Sequence, residues 1–177
     1  MDVQTFLTAL TSMEQISDLH FYGLLFLLGS FTVASLSDLK RMAAQKEFAE
    51  IWILFTMVFF GYDFYRLSGE MPLTLFMVKW TLIMLFALFS WKLFGFILSL
   101  SFMDLAAACA VMSLLNPQFI LTYYVILLLS NLLLKPFLRK SGDRISIPFM
   151  PVILISTIII LVPVRLVDLT GLQAFLS

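Results

Sequence analysis

Long apolar stretches separated by short polar segments constrain this chain more than any other feature of its sequence. The stretches from about Gln118 to Leu134 and from about Pro148 to Val164, for example, contain no charged residue. Each approaches the ~20 apolar residues that an α-helix needs to cross the hydrocarbon core of a bilayer. Because backbone polar groups in that core must be satisfied within the segment itself, helices are the favoured spanning structure. The pattern predicts an all-α, polytopic membrane protein.

The composition excludes several other classes of protein. Hydrophobic residues make up 62% of the 177 residues and charged residues 12%, about half of the ~25% charged residues usual in soluble domains. The net charge is zero and no basic stripe is present, so a nucleic-acid partner is not expected. With one cysteine, Cys109, and one histidine, His20, the chain has no basis for a disulfide or a zinc cluster. We therefore expect no metal site, a packed Cys109 thiol and an interfacial His20 imidazole.

The lengths of the apolar stretches and the charged residues between them divide the chain into about six predicted spans. The whole chain, residues 1–177, is predicted to form a single membrane domain with its helical bundle over residues 19–166. Residues 1–18 are compatible with a short amphipathic helix on the membrane surface, and residues 167–177 form a tail. The segment near Met1 has no basic residues, so the first span is expected to be retained rather than removed as a signal. The six spans cover approximately Phe21 to Leu36, Ile51 to Tyr65, Pro72 to Phe89, Asp104 to just before Asn116, Gln118 to Leu134, and Pro148 to Val164.

Lysine and arginine residues predict the orientation of these spans, since they are enriched in cytoplasmic loops. Most of them lie in the loops after spans one, three and five, which should therefore be cytoplasmic, with both termini outside. Lys79 lies within span three. The residues on the cytoplasmic side are Lys40, Arg41, Lys46, Lys92, Lys135, Arg139, Lys140 and Arg144, and those on the opposite side are Arg66 and Arg165.

Two aspartates, Asp38 and Asp104, are the strongest candidates for chemistry, because an ionisable group at membrane depth is costly to keep. Span one ends on the cytoplasmic side and span four begins there, so both carboxylates are expected at the same face. Such a pair can share one proton, one acting as general base on a water and the other donating to a substrate carbonyl. Structural alternatives remain open. Asp104 could be a helix-capping or first-turn acid, and Asp38 could pair with Lys40 and Arg41.

Two further ionisable residues have structural interpretations. Asp63 is expected to pair with Arg66, three residues later on the same helix, on the side opposite Asp38 and Asp104. Lys79 is expected to extend towards an interface or to pair with an acid inside the bundle. Indole side chains prefer membrane interfaces, so three residues are predicted to be interfacial anchors: Trp52, Trp80 and Trp91.

Three segments carry a resemblance to a known family. Asp38 follows the first span and opens the basic stretch 38–41. Asp104 opens a helix of small residues, Ala106, Ala107 and Ala108, that ends at the turn 116–117. The last span opens with Ile147-Pro148-Phe149-Met150-Pro151. In these features, over about Phe21 to Val164, the chain resembles the prepilin and preflagellin peptidases, membrane aspartic peptidases of the Gly-x-Gly-Asp type, and its compact size is similar to that of archaeal members.

Two departures from the family pattern accompany this resemblance. Ser101 and Met103 replace both glycines of the second motif, and Met42-Ala43-Ala44 stands where Ile-Pro-Asn is common. Glycines beside a catalytic acid permit close backbone approach, so their loss bears on activity. Two other readings are therefore kept: a catalytically degenerate relative that serves as a non-enzymatic assembly or scaffold protein, and a small transporter that uses Asp63, Lys79 and Asp104 along a path.

The resemblance implies a specific function. Such enzymes remove the short basic leader from type IV pilin-like or archaellin precursors at the cytoplasmic face of the cell membrane. It implies that Asp38 and Asp104 are the catalytic pair and that no metal or organic cofactor is needed. As hypotheses, Lys40 and Arg41 tune the pair electrostatically, and two acids bind the basic leader: Glu47 and Glu50.

Overall fold

The computed structural model describes residues 17–41, 46–69, 71–92, 101–138 and 149–169, which are mostly helical and contain no strand. This confirms the all-α prediction for the described part of the chain. The six helices are α1 (Asp18–Arg41), α2 (Lys46–Arg66), α3 (Leu73–Lys92), α4 (Phe102–Leu114), α5 (Pro117–Leu138) and α6 (Met150–Leu169).

Four of these helices, α1, α2, α3 and α5, are long and apolar enough to cross a membrane, as a helical membrane protein requires. The helix at the fourth predicted span, α4, has 13 residues. At 1.5 Å per residue it is about 20 Å long, less than the ~30 Å thickness of a hydrocarbon core. A helix of this length is suited to the interior of a bundle.

Several predicted boundaries differ from the structure by up to five residues. Helix α1 ends at Arg41 where the prediction ended near Leu36, and α2 begins at Lys46 where the prediction began near Ile51. The polar loop expected from Lys135 begins later, because α5 continues through Pro136 to Leu138. Proline removes one backbone donor from a helix, and here the helix nonetheless runs on for two residues. The predicted tail from residue 167 begins as the end of α6, which reaches Leu169. The surface helix predicted within residues 1–18 lies almost entirely outside the described residues, which begin at Ser17. Residues 170–177 also lie outside them.

The short helix α4 occupies the centre of the bundle, in contact with α1, α2, α3 and α6. Its alanines face neighbouring helices on every side. As the sequence predicted, these small side chains let the helix backbones approach closely. The approach to α1 is equally tight: a Cβ added at Gly23 would lie 3.0 Å from Cδ2 of Leu114. The buried alanines are Ala106, Ala107, Ala108 and Ala110.

Trp52 is part of the protein core, so its predicted role as an interfacial anchor is wrong. Its side chain is fully buried, its indole Nε1 donates to Ser30 Oγ at 3.1 Å, and its ring meets Phe31 edge-on at 5.3 Å. The polar edge of the indole is thus satisfied by a neighbouring helix instead of by the membrane interface. Hydropathy does not separate these two cases, because protein-facing and lipid-facing surfaces are both apolar. The side chain of Trp91 lies outside the described part of the chain.

Candidate functional site

Asp38 lies in the last turn of α1 and joins it to the start of α6. Its side chain is buried at 7% exposure, and its Oδ2 accepts the backbone N–H of Met150 at 3.2 Å. The backbone of Phe149 supplies a second hydrogen bond. The first N–H groups of a helix have no partner within that helix and carry partial positive charge. The Asp38 carboxylate therefore caps the N-terminus of α6.

Asp104 lies in the first turn of α4 and is also buried, at 6% exposure. Its Oδ2 accepts two hydrogen bonds from Ser101, one from the backbone N–H at 2.9 Å and one from the hydroxyl at 2.7 Å. In return, the backbone N–H of Asp104 donates to Ser101 Oγ at 3.3 Å. This reciprocal arrangement is a capping box. The structural role that the sequence allowed for Asp104, a first-turn acid, is therefore present.

The structure brings Asp38 and Asp104 to the same end of the bundle. Helix α1 packs against both α4 and α6, and the carboxyl groups of Asp38 and Asp104 are close enough for a coulombic interaction between them. Two buried carboxyl groups of like charge oppose double ionisation. Burial and like charge therefore favour a state with one ionised and one protonated carboxyl group, which acid–base chemistry on a water molecule needs.

The four residues predicted to assist this pair lie near it along the chain. Lys40 and Arg41 are the last two residues of α1, but their side chains lie outside the described part of the structure. Glu47 and Glu50 are exposed near the start of α2. Among the described residues, neither glutamate forms a hydrogen bond or ion pair with Asp38 or Asp104.

A second group of buried polar residues lies at the opposite end of the bundle, around Asp63. Lys79 Nζ lies 2.7 Å from Asp63 Oδ2, and the indole Nε1 of Trp80 donates to the same oxygen at 3.2 Å. His20 Nε2 lies 3.8 Å from Asp63 Oδ1. The side chains of His20, Asp63 and Lys79 are all buried. We call these four residues the outer cluster.

The outer cluster confirms one of the two interpretations of Lys79 and shows contacts that the sequence did not predict. Lys79 pairs with an acid inside the bundle, one of its two predicted roles. Asp63 forms its short ion pair with Lys79, whereas Arg66 was the predicted partner. Trp80 directs its indole N–H to that acid and so is not a simple interfacial anchor. The sequence did not anticipate a buried His20 beside Asp63, although the start of α1 and the end of α2 were both expected on this side.

The two groups are well separated. His20 and Asp38 lie on the same helix, about 27 Å apart along its axis at 1.5 Å per residue. Since His20 contacts Asp63, the outer cluster is far from the pair formed by Asp38 and Asp104. Asp63 and Lys79 thus cannot take part directly in chemistry at that pair.

Within the described residues, no group of three or more histidine, cysteine, aspartate or glutamate side chains could hold a metal ion. Comparison of the chain with protein-family models, with curated proteins and with solved structures gave no match.

Proposed function

We propose that the protein is an aspartic endopeptidase that removes the short leader from type IV pilin-like or archaellin precursors. The observation that carries the proposal is the buried pair of Asp38 and Asp104, whose carboxyl groups interact electrostatically. One carboxylate takes a proton from a water molecule, and the protonated partner donates to the carbonyl of the scissile peptide bond. Acid–base chemistry of this kind uses neither a metal nor an organic cofactor.

The contact between Asp38 and α6 lends independent support. Met150, whose backbone N–H bonds to Asp38, belongs to one of the three segments on which the resemblance to the prepilin peptidases rests. The other two segments contain Asp38 and Asp104 themselves. Segments far apart in the sequence therefore meet at one end of the bundle, as a shared active site requires.

In the proposed topology, six helices run through the cytoplasmic membrane with both termini outside, and α4, at about 20 Å, runs only part of the way inside the bundle. This topology places the Asp38–Asp104 pair at the cytoplasmic face. The charge asymmetry of the loops supports this orientation. A leader rich in lysine and arginine would then approach from the cytoplasm. The exposed Glu47 and Glu50 offer it complementary charge, while Lys40 and Arg41 tune the electrostatics of the pair.

A second candidate function is that of a non-enzymatic assembly or scaffold protein, a degenerate relative of the peptidases. The observation that favours it is that each aspartate has a structural task, since Asp38 caps α6 and Asp104 completes the capping box of α4. The loss of both motif glycines, at Ser101 and Met103, points the same way. The peptidase proposal accounts for the burial of both acids at the same end of the bundle, whereas a capping carboxylate usually lies at an exposed helix end.

The test is cleavage of a leader-bearing pilin precursor by membranes that contain the protein. Wild type is compared with Asp38→Asn and Asp104→Asn, which remove an acid at nearly constant shape. Asp18→Asn is the matched control, because Asp18 is an exposed aspartate in the first turn of α1, at the end remote from Asp38.

We expect wild type and Asp18→Asn to cut at the leader junction, and both other variants to insert without cutting. If wild type leaves a panel of pilin and archaellin precursors intact, the peptidase proposal is wrong and the scaffold function is favoured. Retained cutting by both Asp38→Asn and Asp104→Asn would also overturn it.

A further inference from the structure

We infer that Ser101 is a positioning residue for Asp104, holding Oδ2 of its carboxyl group so that Oδ1 is the atom that exchanges a proton. The catalytic part of this inference rests on the proposed peptidase function. The positioning itself rests on the hydrogen bonds between these two residues and can be tested separately.

The geometry of the capping box fixes the carboxyl group. Both hydrogen bonds that Ser101 donates, from its backbone N–H at 2.9 Å and from its hydroxyl at 2.7 Å, go to the same oxygen, Oδ2. The serine hydroxyl also accepts the backbone N–H of Asp104 at 3.3 Å. The two bonds to Oδ2 oppose rotation of the carboxyl group about its side-chain torsion, and the third holds the serine hydroxyl in place. A side chain held in this way is in a defined position before any substrate arrives.

The same bonds distinguish the two oxygens of Asp104 chemically. A carboxylate oxygen that already accepts two hydrogen bonds is a poor site for a proton, because the added proton would repel the two hydrogens already directed at that oxygen. The proton that Asp104 binds therefore belongs on Oδ1, which receives neither bond from Ser101. Asp38 interacts with this carboxyl group electrostatically, so a proton on Oδ1 relieves the repulsion between the two acids.

The serine supplies something that a glycine at this position would lack. Glycine has a backbone N–H and could still donate the 2.9 Å bond, but it has no hydroxyl. The departure from the glycine-containing motif at Ser101 thus adds a hydrogen bond to the catalytic acid. Because Ser101 is exposed and Asp104 is buried, the hydroxyl holds a buried acid from the edge of the site.

The variant that tests this inference is Ser101→Gly. Glycine is nearly as good an N-cap as serine, so the helix is expected to form while the hydroxyl is lost. Ser101→Thr restores the hydroxyl and serves as the rescue variant. Ser113→Ala is the matched control, since Ser113 is a serine of the same helix whose hydroxyl bonds to the backbone oxygen of Ala110, remote from Asp104.

Two readouts are compared in these variants. The first is the infrared C=O band of the protonated Asp104 carboxyl group in lipid vesicles, assigned by its loss in Asp104→Asn and followed against pH. The second is the pH profile of kcat for cleavage of a pilin precursor. A hydroxyl that donates to a carboxylate favours the ionised form, so its removal in Ser101→Gly should move both curves to higher pH. We also expect kcat to fall about tenfold with KM little changed.

The outcomes are distinguishable. A shift in Ser101→Gly that Ser101→Thr reverses, with Ser113→Ala like wild type, supports the positioning role. An infrared titration that is the same in Ser101→Gly as in wild type overturns it, whether or not the protein cleaves precursors. If the band shifts but wild type cuts no precursor, the hold of Ser101 on Asp104 stands and the proposed peptidase function falls.

Discussion

Asp38 accepts the backbone N–H of Met150 at 3.2 Å, which fastens the last turn of α1 to the first turn of α6. The bond joins two buried groups that lie far apart in the sequence. It orients the Asp38 carboxylate and at the same time satisfies a helix N-terminus that has no partner of its own. Structural and chemical roles therefore coincide in this residue, and different substitutions should separate them.

Asp38→Asn and Asp38→Ala should differ in stability but not in activity. The asparagine amide oxygen can still accept the Met150 N–H, whereas alanine leaves that buried donor without a partner, at a cost of about 1–3 kcal/mol. Unfolding by sodium dodecyl sulfate in mixed micelles should therefore occur at a lower detergent fraction for alanine than for asparagine. Neither variant should cleave a precursor. Equal stability of the two would show that the Met150 bond contributes little to the fold.

Asp104→Glu should preserve the helix and strongly reduce the rate of cleavage. Glutamate is a standard partner of serine in a capping box, so α4 should be as stable as in wild type. The added methylene displaces the carboxyl group from its place beside Asp38, and a shift of about 1 Å can lower a rate by roughly 100-fold. We expect normal unfolding with cleavage reduced about 100-fold or more. Full activity in this variant would show that the exact position of the carboxyl group relative to Asp38 does not matter for cleavage.

The ion pair between Lys79 and Asp63 should stabilise the protein without taking part in cleavage. Lys79→Met alone leaves a buried carboxylate without its cation, which costs about 3–5 kcal/mol. Replacing both residues, in Lys79→Met with Asp63→Leu, removes both charges and should recover most of that loss. The folded double variant should cleave precursors at close to the wild-type rate, because His20 of the outer cluster lies about 27 Å from Asp38 along α1. Loss of cleavage in a stable double variant would contradict this separation and show that the outer cluster contributes to catalysis.

The proposed orientation predicts which side of the membrane each loop faces. In a Cys109→Ala background, a cysteine is placed at Glu47 or at Ser68, two exposed positions near opposite ends of α2. A membrane-impermeant maleimide added to intact spheroplasts should label Ser68→Cys, and should label Glu47→Cys only after permeabilisation. The reverse pattern would place the Asp38–Asp104 pair at the outer face and contradict processing in the cytoplasm.

Much of the architecture follows from local properties of the sequence. A run of apolar residues without charge is costly to expose to water, and its backbone is satisfied best as a helix. The positions of all six described helices could therefore be predicted, with ends that differ by up to five residues, as at Arg41, Lys46 and Leu169. The meeting of Asp38 and Asp104 at one end followed from counting spans, because an odd span ends on the side where an even one begins.

Which groups bond to which was decided only by the tertiary structure. Helices such as α2 are apolar around most of their circumference, so no periodicity separates the face of Trp52 from a face in lipid. The partner of Asp63 was predicted from its own helix, at Arg66, but Lys79 of the next helix reaches it within the bundle. The contact of Asp38 with Met150 likewise depends on how α1 and α6 pack. Hydropathy along the chain determined where the helices lie in the sequence. The pairing of buried charges required the three-dimensional packing, since in an apolar medium each buried charge must be matched by a specific neighbour.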